Sequence, residues 1–230
     1  MNEKIKVIGF DADDTLWVNE PYYRDTEKAF CKLMQEYLSE DEINKELFST
    51  EMNNLRIYGY GSKGFTLSLI ETAIKISNNR VSNEVILKII ELGKILLQMP
   101  IDLLPGIEEV LTSLNSKYKL IVATKGDLLN QEQKLERSGL ASHFHHIEIM
   151  SDKKDANYLK LLNHLEIRPD EFVMIGNSIN SDIKPVLNIG SSAIFIPFHT
   201  TWIHEEGEIT QIDTKKYKEI KNIKDILEYF

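Results

Sequence analysis

The chain has 230 residues, 42% hydrophobic and 27% charged, with a formal net charge of −9. That size and balance fit one large or two modest folded domains. The negative charge excludes a broad basic surface for nucleic acid, and the single cysteine excludes an intrachain disulfide or a Cys-rich zinc site.

Residues 4–10 read as a buried strand. The apolar run Ile5–Phe10 is interrupted by Lys6 and ends in acids, with no small-residue cleavage site, so no signal peptide is expected from it. No stretch approaches the ~18 apolar residues of a membrane span. A cytoplasmic protein without a membrane partner is expected.

From about residue 20 to 98 the chain is helical. Glu20–Tyr37 places Ala29, Phe30, Leu33, Met34 and Tyr37 at helical spacing, and Asp41–Ile57 continues it through Ile43, Leu47, Phe48 and Leu55. Cys31 falls on the first of these faces as a packed thiol. A glycine-rich break, Tyr58–Gly64, precedes the helices Phe65–Ile76 and Ser82–Met99. This block predicts a four- or five-helix insert.

After Pro100, strands and helices alternate. Helices are expected at Gly106–Leu114, Asp127–Ser138 (stopped by Gly139), Tyr158–Leu165, Ser181–Leu187 and Ile223–Phe230. Strands are expected at Lys119–Thr124, Ile147–Met150, Glu171–Gly176, Ser192–Pro197 and Tyr217–Ile220. Continuous apolar strands alternating with amphipathic helices predict an α/β fold, a doubly wound parallel sheet covered on both faces. Ligands in such sheets bind beyond the carboxyl ends of the strands. The unusual polar residues stand there: Asp11 and Asp13, Thr124 and Lys125, Asn177 and Ser178.

Three carboxylates at the end of a buried strand, Asp11, Asp13 and Asp14, are costly without a partner or a cation. Alternate placement suits Asp11 as nucleophile and Asp13 as proton carrier, while Asp14-Thr15 reads as turn and capping chemistry. Three further elements follow: Thr124 before Lys125-Gly126-Asp127, a lysine in Ser151–Asp155, and Gly176-Asn177-Ser178-Ile179-Asn180-Ser181-Asp182.

Together these four elements resemble the motifs of the haloacid dehalogenase superfamily, in that family's order, across residues 8 to 182. The resemblance implies a core of residues 1–18 and 100–230 with an inserted helical cap at 19–99. It implies Mg²⁺-dependent hydrolysis of a small phosphorylated metabolite. Asp11 would attack phosphorus, Asp13 would carry the leaving-group proton, Thr124 would bind phosphoryl oxygens, and Lys153 would neutralise charge. Lys153 is preferred to Lys154 because Tyr158 lies five residues on. Mg²⁺ would sit among Asp11, the Asp13 main-chain carbonyl, Asn177 and Asp182; Lys125, Gly126 and, from the cap, Lys63 would contact substrate.

One departure matters. Asn177 stands where phosphatases of the superfamily usually carry Asp, and its dehalogenases, which use no metal, carry Asn. Those dehalogenases lack an acid at the position of Asp13, which favours the phosphatase. A phosphosugar mutase, or a non-catalytic member that binds a phosphorylated ligand, would share the same fold. His145-His146, His204 and the lysines of Lys215–Lys224 read as solvated surface, and Trp202 as packing.

Overall fold

The computed structural model describes residues 4–205, 207 and 215–230. The chain divides into two compact units: Met1–Glu20, Ile101–Lys125 and Gln131–Phe230 form one, and Pro21–Pro100 with Gly126–Asn130 form the other.

The first unit is built on β1 (Val7–Phe10), β2 (Lys119–Lys125), β3 (His146–Met150), β4 (Phe172–Gly176), β5 (Ser192–Phe195) and β6 (Tyr217–Glu219). Among the described residues these make one sheet in the order β3-β2-β1-β4-β5-β6. Every pairing is parallel; Phe10 lies beside Val122 on one side and Ile175 on the other. Strand order reverses at β1, so the ends of β1, β2 and β4 flank the crevice where such sheets bind ligands. Asp11 follows β1 directly.

Alternate residues bury opposite faces. Ile8, Phe10, Leu120, Val122, Val173 and Ile175 pack with α5 (Ile107–Asn115) and with Ile223 and Ile226. Val7, Ile121, Ala123, Phe172 and Met174 pack with α7 (Asp155–His164) and α8 (Lys184–Asn188). The expected doubly wound sheet is therefore present, with helices on both sides. Two expected helices are tighter or looser than an α-helix. Ile223–Glu228 is 3₁₀, and Ile179–Ile183 is a π turn leading into α8.

The second unit contains α1 (Glu20–Met34, whose first residue belongs to the sheet unit), α2 (Glu40–Tyr58), α3 (Ser62–Ile76) and α4 (Asn83–Leu97). Its core is Phe30, Cys31, Met34, Ile43, Leu47, Phe65, Leu69, Ile89 and Leu96, the apolar faces expected from spacing. Ser39 and Glu42 form a capping box that starts α2. No described helix is long and apolar enough to cross a membrane.

Candidate active site

Segments far apart in the chain meet at the carboxyl ends of the strands. Asp11 leaves β1 and is tied down by its N–H to Ile175 O (2.8 Å). Asp14 has φ 62°, and both its oxygens accept main-chain N–H groups from Asn19 or Glu20 at 2.8–3.1 Å. It shapes the turn, as expected of turn chemistry.

Lys153 lies after β3 and its side chain is almost fully buried. Its Nζ bonds Asp11 Oδ1 and Asp182 Oδ1, the second at 2.7 Å. Lys154 is exposed and pairs with Asp152. Tyr158, on α7, donates its hydroxyl to Ser181 O at 3.0 Å, which holds the π turn against α7. Burial pushes the Asp11 carboxyl up, against the pull of the Lys153 ammonium; Asp182 adds to the rise. The two carboxylates in turn hold Lys153 in its charged form despite burial.

Asp182 is wholly buried, and its other oxygen accepts the Ser178 N–H at 3.0 Å. Gly176 makes room for it: a Cβ there would lie 2.2 Å from Asp182 Oδ2. Asn177 Oδ1 and Asp11 Oδ2 both face the Thr15 hydroxyl, at 3.3 and 3.2 Å. One hydroxyl proton serves one acceptor at a time, so oxygen lone pairs outnumber donors here. The side-chain oxygens of Asp11 and Asn177, facing one hydroxyl, suit a hard divalent cation. Among the described residues, no three His, Cys, Asp or Glu side chains form a metal cluster by themselves.

Asp13 turns to different partners. Its Oδ1 accepts from Trp17 Nε1 (2.8 Å) and Lys134 Nζ (2.9 Å), and its Oδ2 from Gln131 Nε2 (2.9 Å). Burial raises its pKa, but Lys134, Trp17 and Gln131 outweigh that and hold it below the usual carboxylate range. The same Gln131 nitrogen reaches Thr124 Oγ1 at 2.9 Å and Lys125 O at 2.7 Å. Gln131 and Lys134 belong to α6 (Leu128–Arg137).

Lys125 Nζ pairs with Glu205 and bonds Ser181 Oγ at 2.8 Å. Glu205 also accepts from the Ser178 and Ser181 hydroxyls. Burial raises its carboxyl, but Lys125 and the two hydroxyls bring it down to about 2. Gly126 follows β2 and groups with the helical unit. Lys63, in that unit, does not stand unpaired: its ammonium is 3.2 Å from Asp127 Oδ1.

The arrangement thus brings together Asp11, Lys153, Asp182 and Asn177, and links Asp13 to Thr124. Sequence reasoning missed Gln131, Lys134 and Glu205. For the first two a signal existed: polar residues three apart on the inward face of an amphipathic helix that begins just after Thr124. Glu205 comes from a 3₁₀ turn, Ile203–Glu205, with no local pattern to mark it. His146 opens β3 half-buried, its Nδ1 2.9 Å from the Nδ1 of His145, which is exposed as expected.

Residues 5–190 match the model of haloacid dehalogenase-like hydrolases, and the chain belongs to that family; it is a hydrolase. A solved family hydrolase from Xanthomonas campestris is 40% identical, with TM-score 0.82, covering 90% of this chain and 87% of its own. Human N-acylneuraminate-9-phosphatase is 24% identical over 89% of this chain and 84% of its own length. Glyceraldehyde 3-phosphate phosphatase of Methanothermobacter thermautotrophicus (strain ATCC 29096 / DSM 1053 / JCM 10044 / NBRC 100330 / Delta H) is 26% identical over 97% and 100%. A 2-haloacid dehalogenase from Pseudomonas syringae pv. Tomato DC3000 shares the fold, at 21% identity and TM-score 0.65.

Proposed function

We propose that this hydrolase cleaves phosphate monoesters of small metabolites through an aspartyl phosphate on Asp11, with Mg²⁺ as cofactor. The observation that carries this reading is Asp13. A second carboxylate, two residues from the nucleophile, is tied through Gln131 to the Thr124 hydroxyl. Displacing halide from carbon has no use for such a group, whereas expelling an alcohol from phosphorus needs a proton. Two relatives named as phosphatases support the same choice.

In the first step an Asp11 oxygen bonds to phosphorus as the ester P–O bond breaks; Asp13, ionised in the free enzyme, relays to the departing oxygen the proton that the monoanionic ester brings into the site. In the second, water attacks the aspartyl phosphate, Asp13 takes the water's proton, and Asp11 is released with inorganic phosphate. Thr124 donates to a phosphoryl oxygen, and Lys153 offsets the charge of Asp11 and phosphate. Mg²⁺, held by Asp11, the Asp13 main-chain carbonyl and Asn177, would supply further charge neutralisation. Asp182 has both oxygens engaged by the protein and orders the site by holding Lys153 and Ser178. Lys125 and Gly126 contact substrate. The helical unit, Lys63 included, acts as the family's cap and selects among substrates.

The test is phosphate release from an aryl phosphate beside halide release from a 2-haloacid, each with and without chelator. Chelator-sensitive phosphate release is expected, and Asp11→Asn should lower it by ~10³-fold or more. Halide release that survives chelation, without phosphatase activity, would replace this reading with the dehalogenase.

A further inference from the structure

Two lysines divide the acids of the site between them. Lys153 serves Asp11 and Asp182, and Lys134 serves Asp13. The second pairing is a built feature. On α6, Glu132, Gln133, Glu136 and Arg137 are exposed, while Gln131 and Leu135 are buried and Lys134 is largely so. Only 12% of the Lys134 side chain is exposed. An ammonium on a flexible four-carbon stem is a loose ligand unless something fixes it. Here Asn19 does, accepting from Lys134 Nζ at 2.7 Å on one side while Asp13 accepts at 2.9 Å on the other.

The donors are not shared evenly between the Asp13 oxygens. Lys134 and Trp17 both address Oδ1, at 2.9 and 2.8 Å. Oδ2 receives Gln131 Nε2, a nitrogen that at the same time reaches Thr124 Oγ1, 2.9 Å from each. Oδ1 is therefore held by a cation and an indole N–H. Oδ2 lies toward the hydroxyl assigned to the phosphoryl group, with only a shared amide proton to displace.

We propose that Lys134 is a positioning residue: with Trp17 it pins Asp13 Oδ1, so that Oδ2, on the Thr124 side, is the oxygen that passes the proton to the leaving group and later accepts one from water. This inference rests on the reading of the site as a phosphatase. Lys134 touches neither substrate nor phosphorus; it acts by fixing the rotation of the Asp13 carboxyl.

A loss of proton delivery leaves a signature that general damage does not. Esters of acidic phenols depart without help, whereas esters of simple alcohols need the proton. The experiment is a series of phosphate monoesters from 4-nitrophenyl through phenyl to a simple alkyl phosphate. Wild type is compared with Lys134→Met, Lys134→Arg and Asn19→Ala, all checked for folding by circular dichroism. Lys134→Met should lower kcat/KM, which reads the ester-cleaving step alone, by ~10²-fold on the alkyl ester and by no more than ~3-fold on the nitrophenyl ester, while slower hydrolysis of the shared aspartyl phosphate shows in kcat for both. Lys134→Arg should recover part of the alkyl activity. Asn19→Ala, which keeps the ammonium but removes its anchor, should shift the same ratio by a smaller factor, and it serves if Lys134→Met does not fold.

An equal loss of kcat/KM on all esters, or an unchanged alkyl-to-aryl ratio of kcat/KM in both Lys134→Met and Asn19→Ala, would overturn the proposal while leaving the phosphatase reading intact. A wild-type enzyme that hydrolyses none of the esters would overturn both.

Discussion

At the residue scale, the molecule distinguishes acids by what surrounds them. Glu205 is driven down by a lysine and two hydroxyls; Glu51, on α2, goes the other way. Burial pushes the Glu51 carboxyl up to about 8, nearby Glu27 adds to the rise, and the pull of Arg24 does not offset it. Arg24 is committed to Glu27, with Nη1 2.9 Å from its Oε2. A carboxyl whose pKa is higher folded than unfolded keeps a proton that the unfolded chain has lost. Its effect is absent below about the ordinary 4.5, and stability then falls as pH rises toward about 8. Glu51→Gln removes that liability and keeps the shape. Urea denaturation should show no change near pH 4 and a gain on the order of 1–3 kcal/mol near pH 9. A variant less stable than wild type at the higher pH would mean that Glu51 is ionised and favourably placed.

At the element scale, close approach decides as much as pattern. Gly93 of α4 sits against Thr66 of α3; a Cβ there would fall 2.2 Å from Thr66 Oγ1, which is itself bonded to Ser62 O at 2.6 Å. Alanine gains about 1 kcal/mol of helix propensity, but overpacking costs about 1–3 kcal/mol and the threonine rotamer has no easy retreat. Gly93→Ala should therefore lower stability by roughly 1–2 kcal/mol in thermal denaturation, and adding Thr66→Ala should restore it. Such contacts are not written in the helical period. What the sequence exposed most plainly were the central strands, because a strand buried on both faces is an uninterrupted apolar run, as in Leu120–Ala123 and Phe172–Ile175. Asp11, Asp13, Thr124 and Asn177 stood out because they follow such runs, whereas Lys153 and Asp182 were reached only through the resemblance of the four elements to the haloacid dehalogenase motifs. Glu205 was not, since a glutamate in a turn is usually solvated and only the tertiary fold buries it. The π turn at Ile179–Ile183 was hidden as well: its residues suit a helix, and its wider pitch comes with the Ser178 side-chain cap on the Ser181 N–H and the Tyr158 bond to Ser181 O.

At the scale of the whole molecule, the site is a product of the sheet. Asp11 and Asn177 are far apart in sequence, and meet because β1 and β4 are neighbours in register, Phe10 beside Ile175. An unfolded chain holds no such pair, so a cation that needs both oxygens binds the native state and stabilises it. At ~100 times its dissociation constant Mg²⁺ should add about 2.7 kcal/mol, a rise in Tm of roughly 5–10 °C for a chain of this size. Asn177→Ala removes an oxygen whose described protein partner is the Thr15 hydroxyl. It should leave the metal-free Tm nearly unchanged and abolish most of the Mg²⁺-dependent rise. Asp182 does not offer so clean a test, because its loss leaves Lys153 buried with one partner fewer and destabilises the fold directly. Scanning calorimetry across a Mg²⁺ titration distinguishes the outcomes. A Tm insensitive to Mg²⁺ in the wild type, or equally sensitive in Asn177→Ala, would remove the cation from the oxygens of Asp11 and Asn177. The charge on the phosphoryl group would then fall to Lys153 and its neighbours alone.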